Sequence, residues 1–310
     1  MIRLIQNELM KQNGRVGTWV MLGLIVALTL LTATVVHNAP DFDRFESNWR
    51  DNLEADILYY QEFIDEDPFA EEQILLAEYR LSNDLPPAYA MPDSAWTFVT
   101  NSNGLLMLVS LFIIAISATI VSSEFKQGTI KLLLVRPPSR IKILLSKYIT
   151  VLIYMLVFVT TLWLSSLLFG AMFFGFDDQA SFLHIVDGDV QERGYGFQSI
   201  LVFVTHLPMT TLLATLAFAI SSMFSSDIMA IAISIASQFL GLVANVMLLE
   251  FYDWAILLPF VNDLSQYVTE GGPISSLTSP LFSAIVLIVY WLLFLGLALY
   301  VFKKREIKPS

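Results

Sequence analysis

The chain has no cysteine, which excludes disulfides, thiolate metal ligands and cysteine nucleophiles. Three histidines in 310 residues are too few and too scattered for a metal cluster, and no metal site is expected. Charge is scarce as well, at 15% of residues, where a soluble domain carries about a quarter. No segment resembles GxxxxGK[ST], and there is neither a paired set of carboxylates nor a serine with a histidine in reach. The chain is therefore not expected to hydrolyse anything itself, to be an enzyme, or to bind a cofactor of its own.

What is abundant is apolar: 56% of residues are hydrophobic. Six runs, 16–38, 94–123, 148–176, 194–226, 228–249 and 271–302, contain no Asp, Glu, Lys or Arg. A hydrocarbon core about 30 Å thick needs roughly 20 apolar residues at 1.5 Å each, so each run can cross it. Helices are the reasonable way across, because the runs do not alternate with the period of barrel strands and a helix satisfies its own backbone. The first run is longer than a signal-peptide core and is followed by no clear cleavage site, so it reads as a retained signal anchor. The expected fold class is an all-α polytopic membrane protein of six transmembrane helices. Ion-coupled carriers bury acids, bases or both within their spans, and the absence of such groups argues against a proton- or sodium-driven carrier. His206, two residues from Pro208, fits a kinked helix with one hydrogen-bonded imidazole better than a proton relay.

The net charge of −11 conceals two opposite surfaces. With the N-terminus inside, 13 of the 17 Lys and Arg fall on the cytoplasmic side, and orientation follows those cations. Most of the 28 acids fall outside. This places both termini in the cytoplasm of a multi-pass cell-membrane protein, read as bacterial, with lipid but no nucleic acid among its partners.

Along the chain, residues 1–37 hold a short interfacial helix and the first span. Ile2, Ile5 and Leu9 share a helical face with Arg3 and Lys11 off it, although an ordinary basic flank would look similar. Residues 38–93 form an acidic extracellular insertion. Phe42, Phe45, Trp49, Leu53, Ile57, Tyr60 and Ile64 recur at helical spacing, Asp67-Pro68 opens a second helix with Leu75, Leu76 and Tyr79 inward, and Pro86-Pro87 stops it. A helical hairpin serving as a structural lid is expected, with a substrate role as the alternative. Residues 94–310 hold the other five spans. Asp177–Arg193 is expected to be a solvated outer turn, and the apolar stretch after Leu249, broken by Glu250, Asp253, Pro259 and Asp263, one or two short helices.

The segment 124–147 gathers six of the 17 cations with one acid. Its first half can prolong the second span until Pro137-Pro138, and Ser139 is placed to N-cap a helix that runs into the third span. A positive-inside anchor would account for the cations but not for the Glu124-x-x-x-Gly128-Thr129 step, where glycine weakens a helical pattern by about 1 kcal/mol and admits another backbone. With Leu132-Leu133-Leu134, Pro138-Ser139-Arg140 and Lys147, this loop resembles that of permeases of type-2 ATP-binding-cassette exporters, as do the basic N-terminal helix, the six spans, the short turn at Ser225-Ser226-Asp227 and the basic tail. The insertion at 38–93 departs from that pattern.

The resemblance implies a half-translocator that forms a homodimer, or a heterodimer with a second permease, and binds separate ABC ATPase subunits that hold the ATP and Mg. It implies that Glu124, Gly128, Thr129, Arg136, Pro138, Ser139 and Arg140 couple the chain to that ATPase. Glu124 would pair with a partner cation or fix the helix. In the family the second and fifth spans face the dimer axis, which makes Asn101, Asn103, Ser117, Ser234, Gln238 and Asn245 candidate lining of a translocation path, although such residues also stitch helices together in lipid. A path without charges suits an apolar or amphipathic cargo moved outward: an antimicrobial peptide, an antibiotic or a lipid-like molecule. The competing reading is a non-transporting membrane sensor or assembly scaffold that works through the acidic outer hairpin.

Overall fold

A computed structural model describes residues 1–38, 48–65, 69–90, 94–126, 139–176, 181–186, 188–269 and 272–304. Its helices are α1 (Ile2–Asn13), α2 (Val16–Asn38), α3 (Trp49–Glu62), α4 (Ala70–Ser82), α5 (Ala95–Asn101), α6 (Leu106–Lys126), α7 (Arg140–Phe173), α8 (Tyr195–Phe224), α9 (Asp227–Phe251) and α10 (Pro280–Lys304). Five helical stretches are long and apolar enough to cross a membrane: α2, the run Ala95–Lys126, α7, α8 and α10. The sixth expected span is α9, a 25-residue helix, of which Asp227–Gly241 is the uniformly apolar part.

Helix α8 lies at the centre, against α6, α9 and α10, while α7 packs on α2, α5 and α6. The main core joins Val109, Ile113 and Ile120 of α6 to Val151, Phe158 and Leu162 of α7 and Phe218 of α8. Polar side chains tie these helices where packing alone discriminates little between helix and lipid. Ser117 Oγ donates to the Ala214 carbonyl at 2.6 Å and Ser221 Oγ to that of Ala118 at 2.5 Å, both between α6 and α8. Tyr148 of α7 shares a 2.7 Å hydrogen bond with Thr215 of α8 and accepts one of 2.7 Å from the Trp291 indole of α10.

Four features differ from the sequence reading. The second span is interrupted: Ser94 caps α5 in a reciprocal box with Thr97, and a 3₁₀ turn, Ser102–Leu105, separates α5 from α6. Asn and Gly at 103 and 104 are weak helix formers, and the Ser102 hydroxyl bonds back to the Phe98 carbonyl at 2.8 Å, which favours the break. The segment expected to be a solvated turn contains an antiparallel pair, β1 (Ser181–Val186) and β2 (Asp189–Gly194), so the fold is nearly, not wholly, helical. Phe182, Leu183, Ile185 and Val186 suit a pleated surface and Gly188 supplies the turn with φ +86°. The stretch after α9 forms three 3₁₀ turns, Asp253–Leu257, Pro259–Asn262 and Leu264–Tyr267. Buried Asn262 ties the first two together by donating to the Ile256 and Leu258 carbonyls at 2.7 and 2.8 Å, and accepts from Ser283 of α10 at 2.8 Å. Finally, Pro208 lies inside an unbroken α8, and His206 Nδ1 stands 3.7 Å from Asp263 Oδ2, an ion-pair rather than a hydrogen-bond distance.

In the insertion, α3 and α4 pack side by side around Trp49, Leu53 and Ala77, with Ile57, Leu81 and Ala90 at the edge. Phe42, Phe45, Asp67 and Pro68 lie outside the described residues. Ala77 and Arg80 are buried, whereas Leu75 is turned outward at 37% exposure, so the inward face is rotated from the expected one. The α4 helix ends at Ser82, and Asp84, with φ +56°, makes the turn before Pro86.

Candidate functional site: a buried charge cluster beside the basic loop

The N-terminal helix turns a polar face to the bundle, with Leu9 beside it packed against the main core. Ile2 and Met10 are 72% and 69% exposed, while Glu8 and Gln12, one turn apart, are buried against α7. The reason lies in what they meet. Lys147, seven residues into α7 and 2% exposed, donates to Glu8 at 2.7 Å and to Glu124, near the end of α6, at 3.0 Å. Lys11 closes the cluster from the solvent side, 2.8 Å from Glu124 and 3.3 Å from Glu8.

Two carboxylates and two ammonium groups thus neutralise each other in a site from which water is largely excluded. A buried charge is costly unless paired and hydrogen-bonded, and this alternation supplies both conditions. For Lys11, burial works against the cation, but the hydrogen bond with Glu124 and the charges of Glu8 and Glu124 outweigh it and raise the pKa above the ordinary lysine value.

Around the cluster a set of hydrogen bonds fixes α1 to the bundle. Arg15 donates to Ser123 at 3.0 Å and Thr119 at 3.4 Å, both on α6. Tyr154 of α7 donates to Asn13 Oδ1 at 2.5 Å. On the far side of α6, Lys126 reaches Asp227 at the α8–α9 turn at 2.6 Å and holds that carboxyl below its usual pKa. Lys126 is about half exposed, so this last pair contributes little stability and mainly records which ends are adjacent.

The cluster stands at both roots of the basic loop. Among the coupling residues expected from sequence, Gly128, Thr129, Arg136 and Pro138 lie outside the described residues. Glu124 is buried and held within the chain, by the lysines of α1 and α7. Ser139 caps α7, accepting from the Lys142 amide at 3.5 Å, and Arg140 is exposed in its first turn.

The candidate path residues differ in burial and bonding. Asn101 is exposed and Asn103 half-buried at the break before α6. Ser117 is spent on the α6–α8 stitch, and Gln238 of α9 donates to Ser110 of α6 at 2.5 Å. Ser234, one turn earlier on α9, is buried, and neither its Oγ nor Gln238 Oε1 has a partner among the described residues. The side chain of Asn245 lies outside the described residues. A structural stitch and a path residue separate by experiment: Ser117→Ala is expected to cost about 1 kcal/mol, read as a lower melting temperature in detergent, with cargo handling unchanged.

Sequence reasoning missed Glu8, Lys11, Arg15 and Lys147 as a site. A signal was present: Glu8 is the one acid in the first 38 residues and Glu124 the one acid in the basic loop segment. A lone acid among cations beside an apolar span is a candidate for a buried pair.

Taken together, the apolar helices define a nearly all-helical membrane protein with a charge cluster sealed at one end of the bundle. The chain belongs to the family described as protein of unknown function DUF2705, whose model matches residues 81–308. It is similar to the uncharacterized protein YhcI of Bacillus subtilis (strain 168), 36% identical over 315 residues and 99% of both chains. It is also similar to the uncharacterized membrane protein YdbK of the same strain, 28% identical over 214 residues, which cover 68% of this chain and 82% of YdbK. No solved structure matches.

Proposed function

We propose that the chain is the membrane-spanning subunit of an ATP-driven exporter of the type-2 ATP-binding-cassette class. It crosses the membrane six times, with α9 as the fifth span and both termini inside, and works as a dimer with itself or with a second permease. A separate subunit hydrolyses ATP, and an apolar or amphipathic molecule moves outward. The observation that carries this reading is the charge cluster. Glu124 and Lys147 bracket the loop 127–138 and are bound to each other and to α1, so the loop is rooted in a rigid three-helix base. A loop serving only as a charge anchor needs no such base, whereas a lever pushed by another protein does, because force on a loop is transmitted only through packed elements that resist it.

Within this reading Glu124 fixes the base of the lever, and Arg136 and Arg140 contact partner carboxylates or lipid phosphates. The α9 face carrying Ile233, Leu240, Val243 and Met247 is exposed and apolar, suited to lipid or a second permease. The test is Gly128→Leu, which places a bulky side chain where close backbone approach is needed. Membrane insertion and yield are expected to stay at the wild-type level while ATP-dependent protection of the host against amphipathic antimicrobial peptides is lost. A Gly128→Leu variant that protects like the wild type would sink the coupling role.

A further inference from the structure

Beyond the membrane helices, the helical insertion does not rest flush on the bundle. Between α3, α4, the strand pair and the segment after the last 3₁₀ turn lies a cavity of about 430 Å³. That is within the range of small-molecule sites, which combine apolar walls with a few placed polar groups. Leu53, Leu76, Phe182 and Ile185 supply the apolar wall, and Tyr60 and Tyr89 add aromatic surface.

The polar groups are of two kinds. The cations are already engaged by the protein: Arg80 is buried and donates to the Pro86 carbonyl at 3.3 Å, and Arg193 donates to Gln198 at 3.1 Å with its guanidinium over the Phe197 ring. The acids Asp56 and Glu72, which also line the cavity, make no ion pair or hydrogen bond among the described residues. They belong to helices on which seven acids stand against two arginines, and the other arginine, Arg50, is paired with Asp84.

A third observation is independent of charge. His184 of β1 lines the cavity, and its Nδ1 is buried without a hydrogen-bond partner among the described residues. Burial and the neighbouring Arg193 lower its pKa, against a hydrogen bond with the Gln191 backbone that raises it, which favours the neutral ring, and in the tautomer protonated on Nε2 its Nδ1 is an acceptor. An acceptor in a cavity wall takes a hydrogen bond from whatever occupies the cavity, water or a ligand that displaces it.

We propose that this cavity binds a cationic amphipathic peptide, an aromatic side chain entering the apolar wall and an arginine or lysine side chain lying between Asp56, Glu72 and His184. Unpaired acids supply the charge and disfavour an anionic ligand, the tyrosines offer cation–π faces, and Nδ1 can accept an N–H, which a purely apolar ligand does not provide. The inference rests on the topology proposed above only in placing the cavity outside the cell.

The test needs no ATPase, so its result is separate from that of the coupling role. Full-length protein is placed in nanodiscs of neutral phosphatidylcholine, and binding of a fluorescein-labelled (Arg-Trp)₂ amide is followed by anisotropy against empty discs. Saturable binding is expected, weakened at least tenfold by Asp56→Asn combined with Glu72→Gln, and weakened as well by Leu76→Trp, which fills the cavity without changing charge. The control pair Glu54→Gln with Glu78→Gln removes the same charge away from the cavity and is expected to leave the affinity within twofold, and (Glu-Trp)₂ is expected not to bind. Unchanged melting temperatures show that the variants are folded. Binding no better than to empty discs, equal binding of the anionic peptide, or equal weakening by the control pair would overturn the proposal.

Discussion

Lys147→Met is expected to leave little folded protein in the membrane and to lower the melting temperature of what remains more than any other single substitution in α7. Methionine matches the lysine stem in volume, so the effect comes from charge. Glu8 and Glu124, 4% and 6% exposed, would lose the buried cation between them, leaving Lys11, itself partly open to water, as the other lysine that the described residues place on both. Removing one member of a buried ion pair costs about 3–5 kcal/mol, because the partner left behind is desolvated and uncompensated. A compensating change checks the cause: Glu124→Gln together with Lys147→Met removes one charge of each sign and is expected to recover a large part of the loss. Melting curves of the two variants in one detergent decide it. A double variant no more stable than Lys147→Met would mean that the loss does not come from an uncompensated Glu124.

The second large effect is expected at Gly170, where α7 crosses α5. A Cβ there would stand 3.0 Å from the Ala95 carbonyl oxygen, 3.1 Å from its Cα and 3.3 Å from the Phe98 ring. Two of these three neighbours are backbone atoms, which cannot rotate away, and α5 is pinned by the Ser94 cap and by the Ala95 amide donating to the Gly175 carbonyl at 2.7 Å. Small residues at such crossings let helices approach in lipid, where packing is the main attraction. Gly170→Ala is expected to cost about 1–3 kcal/mol by overpacking, and Gly170→Leu to displace α5 altogether. Gly23→Ala and Gly296→Ala, with open space around the added methyl group, are expected to be neutral or stabilising by up to about 1 kcal/mol through helix propensity. Thermal stability of the four variants is the measurement; equal effects at Gly170 and Gly296 would contradict the close crossing.

Much of the fold was legible because the membrane imposes a length and a composition on anything that crosses it. Charge-free runs correspond to α2, the α5–α6 run, α7, α8 and α10, and the Ser139 cap begins α7 as read from sequence. What escaped the sequence is either local structure that hydropathy does not register or depends on partners distant along the chain. The strand pair at 181–194 is a local pattern of apolar and β-favouring residues around Gly188, obscured by the acids that flank it. The break at Ser102–Leu105 sits in an uninterrupted apolar run, where hydropathy registers no change.

The charge cluster illustrates the same limit at the site. Glu8, Glu124 and Lys147 are separated by 139 positions from first to last, and each looks like an ordinary flank of an apolar run. Read by period, Ile2, Ile5 and Leu9 make the apolar face of an interfacial helix; in the structure a buried carboxylate on another face determines how α1 docks on α7, because leaving Lys147 unpaired is costly whereas Ile2 can stay in lipid at no cost. Apolar periodicity ranks faces by transfer to oil and is blind to such pairing.

Co-purification tests the central claim most directly. The protein, tagged at the end of its basic tail and extracted in mild detergent from its own host, is expected to bring down a soluble subunit with Walker motifs in equimolar amount, together with vanadate-sensitive ATP hydrolysis. Deleting residues 129–136 is expected to abolish both while leaving the membrane protein folded. Purification of the folded, full-length protein with no ATPase bound and no ATP hydrolysis would contradict the exporter reading.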